Sequence, residues 1–282
     1  AGLGGETNDQ ASQSLMQALA VAIGVSYYKA AAVGALSLDF AATPALQAMT
    51  KALYTEGLGE FYVRNDLPYP PQVAFHFEEE KPPSVAQNAQ PKPTRVLCAF
   101  GGGKDSHVSA GLLRAAGIEP KLISVVLSQR VADVLATMTA DPITFIQRRI
   151  APKLIELNKS GDALNGHVPI TAINSLILAL HAHLTGETQI VFSNERGASQ
   201  ATRFVNDHPV NHQFSKSMKF EHILQRIITE ASNGTLTYFS LLRGGSELWI
   251  AKTLARDVPE AWPYAASCNR NFVFDPTIPA NE

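Results

Sequence analysis

The chain has 282 residues, of which 45% are apolar and 17% charged, with 23 Lys and Arg against 25 Asp and Glu. That composition supports a sizeable core, as one large domain or two small ones, and excludes a disordered chain. The formal net charge of −2 leaves no global basic field to gather nucleic acid, which disfavours a tRNA partner. Two cysteines, Cys98 and Cys268, exclude a disulfide framework and suit a reducing cytoplasm. No apolar run of about 18 residues occurs, so no membrane span is expected. Ala1-Gly-Leu-Gly-Gly5 lacks an initiator Met and is set aside as a processed or appended end.

Helical spacing of Leu15, Leu19, Ala22, Ile23 and Val25 predicts a helix running to about Tyr28-Lys29. A second helix is expected from Thr43 to Tyr54, with Pro44 in its first turn. Glu56 to Asn65 holds two glycines and several charges, and is expected as a loop or as a pocket lining. Val73 to Glu78 alternates like a strand or hairpin arm. Pro82, Pro83, Pro91 and Pro93 exclude a regular element, so residues 81–94 are the expected linker. It separates a small, mainly helical N-terminal unit, 1–80, from a nucleotide domain, 95–282.

From Arg95 onward strands and helices alternate, which predicts an α/β fold: a parallel sheet with helices on both faces. The strands are expected at Val96–Phe100, Leu122–Leu127 and Gln189–Phe192. Helices are expected at Val108–Ala116, over about Val131–Leu157 with a break near Asp141-Pro142, at Thr171–Leu184 and at Met218–Thr229. Asn165 to Ile170 and Asp207-His208-Pro209 are expected as turns. Ligands of such sheets bind beyond the carboxyl ends of the strands, so the loops after Phe100, Leu127 and Phe192 would share one crevice.

The first of those loops carries the clearest chemistry. Gly101, Gly102 and Gly103 let backbone approach a phosphate, and a helix follows with its amides toward the anion. Ser106 can donate a hydroxyl, and Asp105 can hold Mg²⁺ together with phosphate oxygens. Lys104 is either a phosphate contact or a solvated charge. The spacing is neither that of a Walker loop nor that of a dinucleotide fingerprint.

The strand, the glycine turn and the Asp-Ser tail resemble the SGGxDS signature of the PP-loop ATP pyrophosphatases, with Gly101 in place of the first serine. That resemblance implies an adenine-nucleotide α-hydrolase-like fold, ATP cleavage between the α and β phosphates, and adenylation of a carboxylate, amide or carbonyl oxygen. Later segments narrow it: Ser193-Asn-Glu-Arg-Gly-Ala198, Val210-Asn-His-Gln-Phe-Ser-Lys-Ser217, Ser240 to Lys252 and Ser267-Cys-Asn269. Together with Gly166-His-Val-Pro169, Ser26-Tyr-Tyr-Lys29 and Gly57-Leu-Gly-Glu-Phe61, they resemble the MurL-type epimerases of UDP-N-acetylmuramoyl-L-alanyl-L-glutamate. The resemblance covers about residues 15–275. It implies ATP and Mg²⁺, a small-molecule or peptide substrate with a terminal L-Glu carboxylate, and inversion to D-Glu. The chain is shorter than such epimerases, so the resemblance supports the chemistry better than the substrate.

The chemistry is coherent, because adenylating a carboxylate removes the charge that opposes loss of the α-proton. An acid–base group and anion-stabilising groups are then required. His212, in a polar motif, is a candidate for proton transfer or else a structural or phosphate-contacting histidine. Cys268 is a candidate thiolate base or a half-buried thiol. Glu195 and Glu247 are candidates for base or Mg²⁺ ligand. Arg196, Lys216 and Arg243 suit phosphate or carboxylate, with a solvated role as the alternative. Cys98, in a strand, is expected to be buried packing, and Trp249 core. His181 and His183 do not share a helix face and make a poor zinc site. The competing functions are another adenylating PP-loop enzyme, forming an amide, nitrile or thio product, and a nucleotide sensor without catalysis. The absence of a C-x-x-C pair and of a glutaminase segment weighs against several of the former.

Overall fold

The computed structural model describes residues 9–81, 94–161 and 163–266. In chain order, α1 spans Gln10–Tyr28, β1 Ala35–Ser37, α2 Pro44–Tyr54, α3 Gly59–Arg64 and β2 Ala74–His76. Most of the expected linker, residues 82–93, lies outside the described residues. Next come β3 Val96–Ala99, α4 Lys104–Ala115, β4 Lys121–Val126, α5 Gln129–Ala136 and β5 Ile143–Gln147. Then follow α6 Pro152–Ser160, α7 Ile170–Thr185, β6 Gln189–Phe192, β7 Arg203–Val205 and β8 His208–Val210. The last described elements are α8 Met218–Ala231, β9 Thr237–Ser240 and α9 Glu247–Asp257.

The chain forms two compact units. The first comprises Ala1–Thr94, Ile150–Ile190 and Arg196–Phe239; the second comprises Arg95–Arg149, Val191–Glu195 and Ser240–Glu282. The join at Thr94 and Arg95 coincides with the end of the proline-rich stretch, and two later segments return to the first unit.

In the first unit, α1 packs on α2, α7 and α8. Its inward stripe, Leu15, Ala18, Ala22 and Val25, is fully buried. Burying Leu15 or Val25 contributes about 1.5–3 kcal/mol each. Gly24 allows α2 to come close: a Cβ there would lie 2.6 Å from the Tyr54 hydroxyl, which donates to the Val21 carbonyl at 2.9 Å.

The central sheet has strand order β5-β4-β3-β6-β9 and is flanked by helices, an α/β architecture as expected. β3 pairs in parallel with β4, and β4 with β5. Val96, Leu97 and Cys98 are buried in succession, as suits a strand covered on both faces. In the second unit, Val108 of α4 meets Leu242, Ile250, Leu254 and Val258 in one apolar cluster. From β3 the chain moves through α4 to β4 on one side, while β6 lies on the other. The carboxyl ends of β3 and β6 therefore flank the topological switch point, the usual ligand position in an open α/β sheet.

Several expectations need correction. Glu56–Asn65 is not a loop: a 3₁₀ turn, Glu56–Leu58, leads into α3. Leu58 and Phe61 are fully buried, and Gly59 is where Tyr69 packs, a Cβ there meeting its hydroxyl at 3.1 Å. Those glycines mark close packing, not a break. The expected helix over Val131–Leu157 divides into α5, β5 and α6. Ile143-Thr-Phe-Ile146 is β-branched and aromatic, but its edge position leaves both faces half-buried and hides the alternation. β2 is no hairpin arm; it pairs in parallel with β1. The turn expected at Asp207-His208-Pro209 is centred on Asn206 and Asp207, both with positive φ (48° and 60°). That is the geometry of a two-residue hairpin turn, and His208 and Pro209 belong to β8.

Candidate active site

The phosphate-loop candidate grows directly out of β3. Phe100 N–H bonds the Ile123 carbonyl at 2.8 Å, and the chain then leaves the sheet. Gly102 is required twice over. Its φ is +73°, and a Cβ would sit 2.3 Å from Met138 Sδ. At Gly101 an added Cβ meets no atom within 4 Å, so the fold itself tolerates a side chain there. The Ala266 N–H donates to the Gly102 carbonyl at 2.9 Å and braces the loop from the C-terminal side.

α4 begins at Lys104, four residues earlier than the apolar pattern suggested. α1, α2, α5, α8 and α9 open on caps from Asp9, Thr43, Ser128, Ser217 and Ser246. The N-cap of α4 is Gly103, which has no side chain to offer. The Ser106 N–H bonds the Gly103 carbonyl at 3.1 Å, while the Lys104 and Asp105 amides ahead of it suit an anion, which the helix dipole also favours. Ser106 is buried and donates its hydroxyl to the Gly103 carbonyl at 2.8 Å, which fixes the loop from within.

Lys104 Nζ lies 3.1 Å from Asp105 Oδ1 and 3.1 Å from Glu247 Oε1. Burial lowers the lysine pKa, but the two carboxylates outweigh it and raise it, so the ammonium is retained. Glu247 opens α9, and its side chain is 79% exposed. Trp249, expected in the core, is 44% exposed and lies against Gly245, where a Cβ would meet its ring at 2.6 Å. Cys98 is fully buried, as expected, and burial pushes its thiol up to about 12, which makes it inert.

At the end of β6, the buried Asn194 donates its side-chain amide to Ser240 Oγ at 3.0 Å. Arg243 Nη1 donates to the Glu195 carbonyl at 2.9 Å. The second unit thus brings together Gly101 to Ser106 with Glu247, and Glu195 with Arg243. Among the described residues no cluster of three His, Cys, Asp or Glu groups could hold a metal. Mg²⁺ fits here only as a phosphate-borne ion, which characteristically needs one or two carboxylates, water and phosphate oxygens. Asp105, at the mouth of the loop and partly exposed, suits that part.

His107 escaped the sequence reading. It is buried against the Phe100 ring, edge to face at 5.0 Å, and bonds the Met138 backbone. Burial lowers its pKa and keeps the imidazole neutral. Met138 is also the residue that fills the space over Gly102, so His107 braces the loop indirectly.

A second polar group belongs to the first unit. The Asn211 side-chain oxygen accepts from the Gln213 N–H at 2.8 Å, and its amide donates to the Ala198 carbonyl at 2.9 Å. These bonds shape the segment that carries His212, which is exposed, and Lys216 in the 3₁₀ turn Phe214–Lys216. His167, in the turn before α7, has His212, Glu60, Lys216 and Arg64 as its charged or titratable neighbours. Burial, with His212 adding to it, lowers the His167 pKa. Arg196 also lies in this unit, exposed, in the 3₁₀ turn Arg196–Ser199. Ser267, Cys268 and Asn269 lie outside the described residues.

His183 is paired with Asp9 at 3.1 Å. Among the described residues, no helix is long and apolar enough to cross a membrane.

Comparison with known proteins agrees with the motif pattern. The family model of the MurL N-terminal domain matches residues 3–241. A Xanthomonas oryzae pv. oryzae protein named UDP-N-acetyl-alpha-D-muramoyl-L-alanyl-L-glutamate epimerase is 40% identical over 275 residues, covering 95% of this chain and 58% of that relative. A Salinispora tropica protein of the same name is 41% identical over 259 residues, covering 92% and 56% respectively. A third, from a Micromonospora species, is 40% identical over 258 residues, covering 92% and 57%. The chain spans about half the length of the curated relatives it matches. With most of its length matched by the family model, the chain belongs to the MurL N-terminal domain family.

Proposed function

We propose that this chain carries the chemistry of an ATP-dependent epimerase, an isomerase acting on UDP-N-acetylmuramoyl-L-alanyl-L-glutamate or a closely related peptide. The observation that carries the reading is the loop Gly101–Ser106 at the switch point, opening a helix that has no cap of its own. The names of the three relatives support the epimerisation and the substrate class. The loop's likeness to the PP-loop ATP pyrophosphatases supports α–β cleavage of ATP.

In this reading the α4 amides and the Gly101–Gly103 backbone take the phosphates of ATP. Lys104 and Arg243 add positive charge, and Asp105 holds Mg²⁺, which would neutralise charge on the departing pyrophosphate. The glutamate carboxylate attacks the α-phosphorus, pyrophosphate leaves, and an acyl adenylate results. Its carbonyl, no longer anionic, accepts the electron pair when the α-proton is removed. Proton transfer is assigned to His212, with Cys268, Glu195 and Glu247 as the other candidates, while Lys216 and Arg196 bind anionic parts of the substrate. Reprotonation on the opposite face followed by hydrolysis yields the D-Glu product and AMP. ATP and a nucleotide-linked sugar are cytoplasmic metabolites, and the cytoplasm is the proposed location.

The test is to incubate the chain with ATP, Mg²⁺ and the L-Glu substrate in D₂O. The proposal expects AMP together with deuterium at the glutamyl Cα. AMP with a new amide, nitrile or thio product and no deuterium would favour another adenylating enzyme of the same superfamily.

A further inference from the structure

Three glycines in a row give the phosphate loop no side chain with which to hold its own shape. Apart from the Ser106 hydroxyl and the Ala266 N–H, the loop rests on the connection between α5 and β5, residues 137–141, all within the second unit. A Cβ built at Gly102 would run into Met138 Sδ and lie 3.1 Å from Leu135 Cδ2. Leu135 is buried with Val126 and Ala132, and Met138, Ile143 and Phe145 pack on the same cluster. The loop backbone therefore lies on a floor that is continuous with the core under α5.

The connection is itself tightly built. The Met138 N–H bonds the Leu135 carbonyl at 3.0 Å. The Thr139 hydroxyl donates to Asp141 Oδ2 at 3.1 Å, and the Asp141 N–H donates back to Thr139 Oγ1 at 3.1 Å. α4 grips it from one side. Arg114, in the last turn of α4, donates from Nη2 to the same Asp141 Oδ2 at 2.8 Å. His107, seven residues earlier and so on the same face, packs edge to face on Phe100 at 5.0 Å and bonds the Met138 backbone. The helix that opens on the loop thus also fixes the piece of chain that props the loop up.

We infer that Arg114 and Asp141 are positioning residues for ATP, holding the Gly101–Gly103 backbone in its phosphate-binding shape through Met138. The inference rests on the proposed ATP reading and adds to it two residues outside the loop. The side chains of the pair are 33% and 38% exposed, and ion pairs of that kind contribute little to global stability. Their effect belongs instead to the geometry of the loop. A loosened loop binds the phosphates of ATP less well before and during cleavage alike, which raises KM for ATP and spares kcat.

The test follows AMP formation by the full chain with Mg²⁺, the L-Glu substrate and varied ATP, alongside urea midpoints. Asp141→Ala and Arg114→Met should each raise KM for ATP about fivefold, with kcat within about twofold and KM for the L-Glu substrate unchanged. Their urea midpoints should stay near wild type. Asp141→Asn keeps an oxygen for Arg114 and Thr139 and should recover most of the affinity. The double variant should be no worse than either single one, because both remove one link. The link to the loop has its own test. Gly102→Ala is impaired partly by the clash with Met138, so adding Met138→Ala should recover AMP formation about tenfold. Unchanged KM for ATP in Asp141→Ala and Arg114→Met overturns the inference. So does a rise in KM for ATP that is matched by a fall in the urea midpoint, or a Gly102→Ala/Met138→Ala chain as poor as Gly102→Ala alone. If the wild-type chain neither binds nor cleaves ATP, the ATP reading itself fails, and the inference with it.

Discussion

The two units handle charge in opposite ways. In the second, the candidate loop offers backbone amides, its one hydroxyl is donated to the Gly103 carbonyl, and its ionisable groups are tied up. Lys104 is flanked by Asp105 and Glu247, and Arg243 is bonded to the Glu195 carbonyl. In the first, imidazoles gather near Lys216, and a buried lysine holds the turn beside them. Fixed dipoles suit an anion whose charge does not change on binding, whereas imidazoles suit a proton that must come and go. Under the proposed function, the amides of the second unit serve the phosphates of ATP.

The strongest way to break that contrast lies in the loop. Asp105→Ala, Ser106→Ala and Gly102→Ala should each lower AMP formation by about 10²–10³-fold, measured as pyrophosphate release. Gly102→Ala acts by backbone strain and the clash with Met138, the others by loss of a ligand or a loop bond. The same assay should leave His212→Asn within a few fold of wild type. Comparable loss of AMP in His212→Asn would erase the distinction.

Next in size, Lys29→Met should lower stability by about 1–3 kcal/mol, read from the urea midpoint, because Asn165 Oδ1 and the Gly166 carbonyl lose their donor. A stability counterpart in the second unit is Gly111→Ala. A Cβ there would lie 2.4 Å from Val258, and overpacking of this kind costs about 1–3 kcal/mol, readable from the urea midpoint.

Acid should act on both units. His107 and His167 have folded pKa values below the ordinary imidazole value of about 6.5, each because burial disfavours the charged form. The stability they confer is therefore present above that ordinary value and is lost as pH falls through the folded values. Urea midpoints should fall on acidification, and His107→Phe should flatten part of that slope. The smallest effect is expected from Glu247→Gln, which removes an exposed partner of Lys104 and should change stability by less than about 1 kcal/mol. A large loss of AMP formation in that variant would instead mark Glu247 as a chemical group.

Much of this was legible from the chain alone where the cause is local. β3, the glycine turn and the start of α4 are contiguous, and a Gly-rich turn between apolar runs declares itself. α1, α2 and α7 have clear stripes, and the Pro at the start of α2 is in sequence. β1 and β5 were hidden because short or edge strands bury too little of either face to show alternation. β9 was missed although its end, Ser240, begins a motif. α3 was concealed by glycines that serve packing on Tyr69. His167 stood in a turn and in the Gly166-His-Val-Pro169 segment, but its setting was hidden, because that turn is held by Lys29, whose partner Asn165 is 136 residues away. Trp249 was misjudged because its apolar neighbours do not reveal that α9 turns that side chain outward.

The central claim is that ATP cleavage makes the glutamyl α-carbon acidic. It is tested most directly by following AMP and Cα deuterium together in D₂O, with the L-Glu substrate, in the presence and absence of ATP. The account predicts deuterium only with ATP, and none in Asp105→Ala. Deuterium uptake without ATP, or AMP release with the α-proton untouched, would contradict it.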